Sequence, residues 1–233
     1  CLYENPALVS FQATNGVSPF TFTYSLNGGA AQTLVSATGQ ATIPVPANVP
    51  GDYIYELISV QESSASMCSN AIGNDVLVRI WDLPTVFAGN DFSICDGEWT
   101  TLNGQGAVTY IWDNNGIDGV PFLPQTTLNY TVEGTDVNGC TNTDIIQVTV
   151  VPIPQVDFTA TEVAGCSPLI TTLTNQSTGN LTNCQWTLSD GSEYNGCGSI
   201  DLTLVEAGCY DVRLTVSTPE GCTNTGTKPV FLC

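Results

Sequence analysis

One pattern recurs three times along the 233 residues and limits what the chain can fold into: an alternating strand followed by a polar turn with a cysteine. The clearest copy is Gly208-Cys209-Tyr210-Asp211-Val212-Arg213-Leu214-Thr215-Val216, closed by Gly221-Cys222-Thr223-Asn224-Thr225. A second runs from Tyr130-Thr131-Val132-Glu133 to Gly139-Cys140-Thr141-Asn142-Thr143. A looser third leads from Gly51-Asp52-Tyr53-Ile54-Tyr55-Glu56-Leu57 to Cys68. Alternation with a period of two buries one face of a strand, so Tyr210, Val212, Leu214 and Val216 share a core face. A unit that returns at this spacing implies a row of small β domains.

Two proline-containing stretches, Trp81-Asp82-Leu83-Pro84 and Val151-Pro152-Ile153-Pro154, read as connectors, because proline ends ladders and stiffens links. They divide the chain into segments 1–82, 83–153 and 154–233. Within each, short strands alternate with turn signals such as Asn27-Gly28-Gly29 and Asp113-Asn114-Asn115-Gly116. About seven strands are expected in the first segment, the last from Asp75 to Ile80. No stretch shows a sustained helical period. The fold class is therefore all-β: three tandem β-sandwiches.

Charge removes several functions. There are 22 acidic residues against Arg79, Arg213 and Lys228, a net charge of −19, whereas phosphate binding needs clustered cations. The charge argues against nucleic acid and disfavours contact with anionic lipid, and it reads as solubility through self-repulsion. Apolar runs such as Ile145-Ile146 are too short for membrane insertion. With no histidine, Ser–His–Asp and Cys–His catalysis lack their base. No carboxylate pair stands out, and the reading is a non-enzyme without a cofactor. No leader precedes Cys1, which leads us to expect an internal piece of a longer secreted protein.

Ten cysteines without a C-x-x-C pair point to disulfides in an exported protein. A two-residue turn at Asp190-Gly191 sets Cys184 opposite Cys197 in a non-hydrogen-bonded pair, with Cα atoms about 4.5 Å apart. Cys209 opens one strand and Cys233 ends the next, at the far end of that hairpin. Cys166 is then left for Cys222. The corresponding pairs within the other segments are Cys95–Cys140 and Cys1–Cys68. Lipidation of Cys1 is the alternative, and it leaves Cys68 unpaired.

Trp186-Thr187-Leu188-Ser189-Asp190-Gly191, followed by Ala207-Gly208-Cys209-Tyr210-Asp211-Val212-Arg213-Leu214-Thr215-Val216, resembles the PKD-domain pattern, with Leu188 and Ser189 in place of its usual Phe-Gly. Ala88-Gly89-Asn90-Asp91, Cys95-Asp96-Gly97 and Thr135-Asp136-Val137-Asn138-Gly139-Cys140 resemble immunoglobulin-like repeats of large Bacteroidota surface proteins. The resemblance implies immunoglobulin/PKD-like sandwiches in an adhesin, of the gliding-motility-associated kind exported by type IX secretion. It implies an extracellular or cell-surface location and a structural stalk segment. Its partners would be neighbouring domains of a longer chain, and a surface glycan or protein ligand. The alternative is a carbohydrate-binding or accessory module of a secreted hydrolase; a filament subunit is a third reading.

Calcium is the one ligand with candidate residues. Asp113, Asn115 and Asp118 crowd oxygen ligands into one turn, as hard cations require. In an immunoglobulin-like topology the loop between the last two strands lies at the N-terminal end. Asp82 of the connector could therefore meet Asp136 and Asn138. Trp112 and Trp186 fall where sandwiches bury a tryptophan. Trp81 is expected between domains, and Trp99 partly exposed.

Overall fold

The computed structural model describes residues Cys1–Cys233, and all of its regular structure is extended. The first strands are β1 (Leu8–Gln12), β2 (Phe20–Leu26), β3 (Gln32–Ser36), β4 (Gln40–Pro44), β5 (Gly51–Gln61) and β6 (Ser69–Ile80). β1 pairs with β4, and a second sheet runs β3-β2-β5-β6. Alternation turns Phe20, Phe22 and Tyr24 of β2 inward to meet Val9 and Phe11 of β1, with Val45, Tyr55 and Ile80 closing the core. Phe11 stacks on Phe22 at 5.8 Å and lies 5.6 Å from Tyr24, which in turn lies 6.3 Å from Tyr55. Each ring adds packing beyond its buried area. Asn27 and Gly28 adopt φ of 51° and 69°, and the Gly29 N–H donates to Leu26 O at 2.9 Å, the primed turn that Asn-Gly favours. Six strands form, not seven. β6 starts six residues before Asp75: its first three residues are exposed, and its ladder with β5, from Gln61↔Ser69 to Gly51↔Ile80, holds it.

The middle strands are β7 (Phe92–Cys95), β8 (Thr109–Trp112), β9 (Leu128–Thr135) and β10 (Thr141–Val151), in the order β7-β10-β9-β8. β7 runs parallel to β10, which sets Cys95 beside Val151 at the end of that strand. The strand expected at Thr100–Leu102 is reduced to a single bridge, Thr100↔Phe122.

The last strands are β11 (Phe158–Ala160), β12 (Leu169–Asn175), β13 (Asn183–Leu188), β14 (Glu193–Asn195), β15 (Ser199–Leu204), β16 (Tyr210–Ser217) and β17 (Thr223–Leu232). They make two sheets, β11-β12-β15 and β14-β13-β16-β17, over one core. Tyr210, Val212, Leu214 and Val216 of β16 all point into it. Trp186 is fully buried, edge-on to Phe158 at 5.3 Å, and its indole N–H donates to Gly196 O at 3.1 Å, so no polar atom is stranded. The chain is thus all-β, made of immunoglobulin-like sandwich sheets.

By compactness the chain divides into two units, one of Cys1–Phe87, Gly104–Ile111 and Val132–Asp144, the other of Ala88–Asn103, Trp112–Thr131 and Ile145–Cys233. The division cuts through β8, β9 and β10. No helix is long and apolar enough to cross a membrane.

Candidate functional site: cysteines at both ends of the last strands

β6, β10 and β17 each follow a loop that ends in a cysteine. The loop closes in the same way every time. Its first N–H donates to the carbonyl of that cysteine: Glu62 to Cys68 at 3.1 Å, Asp136 to Cys140 at 2.9 Å, Thr218 to Cys222 at 2.9 Å. In the second loop Asp136 Oδ1 accepts the Asn138 and Cys140 N–H groups, both at 2.8 Å. Desolvation pushes this carboxyl up, but those bonds, with the Asn138 side chain, hold it below its ordinary value. In the third loop the Thr218 hydroxyl accepts only the Cys222 N–H, at 3.3 Å.

A second cysteine lies beside the far end of each last strand. The Leu2 N–H donates to Trp81 O at 2.8 Å, just past β6, and the Asp96 N–H to Val151 O at 2.8 Å, at the end of β10. The Gly165 N–H donates to Cys233 O at 3.0 Å, just past β17. Strands of 10 to 12 residues therefore separate Cys1 from Cys68, Cys95 from Cys140 and Cys166 from Cys222. At about 3.3 Å per residue that is more than 30 Å, where a disulfide needs Cα atoms roughly 4.4–6.8 Å apart.

Pairing within segments is corrected accordingly: Cys1–Cys68, Cys95–Cys140 and Cys166–Cys222 do not form. Cys1 is bonded to Cys140 and Cys95 to Cys222, both with Cα atoms 5.5 Å apart, and Cys68 and Cys166 are free and exposed. Each bond joins the end of one segment's last strand to the loop that opens the last strand of the next. The two donor turns match. Cys1-Leu2-Tyr3-Glu4 and Cys95-Asp96-Gly97-Glu98 both carry a positive φ at the third residue, 62° and 87°. In both, the glutamate accepts from the nitrogen of its cysteine, at 3.2 and 2.9 Å. Two residues beyond each bonded loop cysteine, an asparagine grips the connector: Asn142 Nδ2 donates to Pro84 O at 3.0 Å, and Asn224 Nδ2 to Pro154 O at 2.8 Å. The repeated C-x-x-E and C-x-N spacings are the sequence signals of these joints, and reading the segments singly passes over them.

Two further bonds lie inside the last sandwich. Cys209–Cys233 closes the β16–β17 hairpin, with Cα atoms 4.1 Å apart. Cys184–Cys197, at 4.9 Å, forms by a route different from the simple turn. The turn at Leu188–Ser192 holds three residues, with Gly191 at φ 90°, so Trp186 faces Tyr194 and the register is one residue short. Gly196, at φ 139°, absorbs one extra residue and brings Cys197 back opposite Cys184.

The candidate calcium ligands already serve their loops. Asp113 Oδ1 accepts the Thr131 N–H at 2.8 Å, Asp118 Oδ1 the Trp112 indole at 2.9 Å, and Asp82 Oδ1 the Leu83 N–H at 2.9 Å. Asn115 adopts φ 62°, a conformation that asparagine tolerates in turns. No group of three or more His, Cys, Asp or Glu is placed to hold a metal ion. Trp112 is buried, Trp99 is exposed, and Trp81 is partly covered by the Arg79 guanidinium, 5.1 Å from its ring.

Residues 151–231 match the family model described as PKD domain. No curated protein sequence matches the chain. Among solved structures it is similar to titin domains I67–I69, at 13% identity over 97% of this chain and 92% of that one, with a TM-score of 0.49. It is similar to the three N-terminal domains of the bacteriophage RB49 highly immunogenic outer capsid protein, at 15% identity, 97% and 93% coverage and a TM-score of 0.44. A third is a Ca²⁺-stabilised adhesin that helps an Antarctic bacterium reach out and bind ice, at 17% identity, 94% and 66% coverage and a TM-score of 0.36.

Proposed function

We propose that the chain is a non-catalytic stalk segment of a secreted or cell-surface adhesin. In this reading it consists of three sandwiches at 1–82, 83–153 and 154–233, tied end to end by covalent joints. The observation that carries it is the pair of bonds Cys1–Cys140 and Cys95–Cys222, each linking consecutive segments and each backed by an asparagine on the connector carbonyl. An enzyme gains little from such joints, whereas a load-bearing chain gains resistance to extension. Four disulfides suit the oxidising conditions outside the cell. The resemblance to Bacteroidota surface repeats adds type IX export and a gliding-motility setting to the proposal.

Single-molecule pulling from the two termini tests it. Reduced chain should extend by roughly 3.3–3.6 Å per residue along its whole length. In oxidised chain the four bonds cap extension at the shortest covalent path between the termini, so it should stop at about a quarter of that length. Equal extension in both states would defeat the proposal. The alternative, a glycan-binding accessory module, has one observation in its favour: Trp99 stands exposed just past the Cys95–Glu98 turn. Binding of the chain to a glycan array, lost on Trp99→Ala, would favour it.

A further inference from the structure

Three loops of one design precede the three last strands, yet only two of their cysteines are bonded. Cys140 and Cys222 each take a cysteine from beside the end of another sandwich's last strand. Cys68 has the same loop closure, and Asn70 stands two residues on, as Asn142 and Asn224 do in the bonded loops. Where the bonded copies are covered, this one is open: Cys140 and Cys222 are buried, while Cys68 and Asn70 are exposed. They line a groove of about 440 Å³ together with Phe20, Glu62, Ser69 and Ile72. The complementary half is also vacant. Cys166 also lies beside the end of its last strand, β17, although the strand end is held there by the residue before the cysteine, Gly165, and not by the one after it as at Cys1 and Cys95; it is a free, exposed thiol.

We propose that Cys68 is a disulfide-forming site for a second copy of this chain, which supplies Cys166, so that copies join head to tail by the bond that already links segments within each copy. Asn70 then takes a carbonyl from the incoming copy, as Asn142 takes that of Pro84. Cys166 differs from its counterparts in being followed by Ser167-Pro168 instead of a turn closed by glutamate, so the incoming cysteine arrives on a different local backbone. The bond needs an oxidant, and a small-molecule disulfide such as oxidised glutathione supplies it. The Cys68 thiolate attacks one glutathione sulfur, and one glutathione leaves as thiolate. The Cys166 thiolate of the second copy then attacks the Cys68 sulfur of the mixed disulfide and expels the other glutathione. Two electrons pass from the protein sulfurs to glutathione, and two protons are released. With each copy at −19, the encounter is opposed by long-range repulsion that salt screens, so linking accelerates with ionic strength.

The proposal rests on the stalk reading, and one experiment separates their failures. The chain is incubated at high concentration with a glutathione redox buffer, resolved by size without reductant, and mapped by mass spectrometry of unreduced peptides. The expected result is a ladder of linked copies joined by Cys68–Cys166 peptides, abolished by Cys68→Ser or Cys166→Ser and formed several-fold more slowly by Asn70→Ala. Only monomers, a Cys68–Cys166 bond within one copy, or mainly Cys68–Cys68 or Cys166–Cys166 bonds would overturn it. If Cys1–Cys140 and Cys95–Cys222 peptides are missing from the same map, the stalk reading falls. If they are present and the ladder is not, only the head-to-tail site falls.

Discussion

The first and last sandwiches reach similar folds by different means. The first holds its sheets together with a file of rings, Phe11, Phe22, Tyr24 and Tyr55, and has no disulfide between its own strands. The last buries a single Trp186 against Phe158 and closes two of its hairpins covalently, at Cys184–Cys197 and Cys209–Cys233. Rings stabilise through area removed from water, which acts on the folded state. Cross-links act mainly by restricting the unfolded chain. One fold thus tolerates either source of stability, and the two should fail under different treatments.

Reduction is the largest test of that contrast. Each internal bridge of the last sandwich is worth about 2–4 kcal/mol. Reduced and alkylated chain should therefore lose hydrogen-exchange protection in β13–β17 well before β2 and β5. Equal loss in both would mean that the rings of the first sandwich add nothing distinctive. Truncating a core ring comes next: Phe22→Ala and Trp186→Ala should each cost about 3–5 kcal/mol in oxidised protein. Thermal unfolding should show the Phe22 variant losing only the first transition and the Trp186 variant only the last.

Acid should act weakly and on both alike. A side-chain hydrogen bond from Arg79 holds the Asp52 carboxyl below its ordinary 3.8, and one from Lys228 does the same for Asp157. A carboxyl with a folded value below its unfolded one stabilises above the unfolded value, and that stability is lost as pH falls through the folded value. Melting temperature should therefore fall slightly below about pH 4. Asp52→Asn should flatten the decline in the first sandwich, and Asp157→Asn in the last; a steeper acid loss in either variant would contradict the assignment. Calcium removal is the smallest expected effect. Because the Asp113, Asp118 and Asp136 oxygens already accept hydrogen bonds within their own loops, EDTA should leave both transitions in place.

Strands and core faces were legible because alternation is a local property: Tyr210, Val212, Leu214 and Val216 could be read inward from residue order alone. β6 was legible only in part, since its exposed residues from Ser69 onward carry no apolar alternation and a neighbouring ladder defines them. The Cys184–Cys197 bond was reached through two offsets that cancel, a longer turn at Gly191 and an extra residue at Gly196. Joints between segments were not legible from pairing cysteines segment by segment. That habit overlooks the length of the strand between them. The placement of the Asp136 loop at the N-terminal end of its segment already pointed to the preceding segment as the source of Cys140's partner.

The two joint bonds overlap in sequence. One closes residues 1 to 140 into a covalent ring, the other residues 95 to 222, and both rings include residues 95 to 140. A protease that cuts the backbone once, anywhere between Cys1 and Cys222, therefore leaves both pieces in one molecule. A nick in an exposed loop, the usual weak point of a surface protein, opens a ring without releasing the far end.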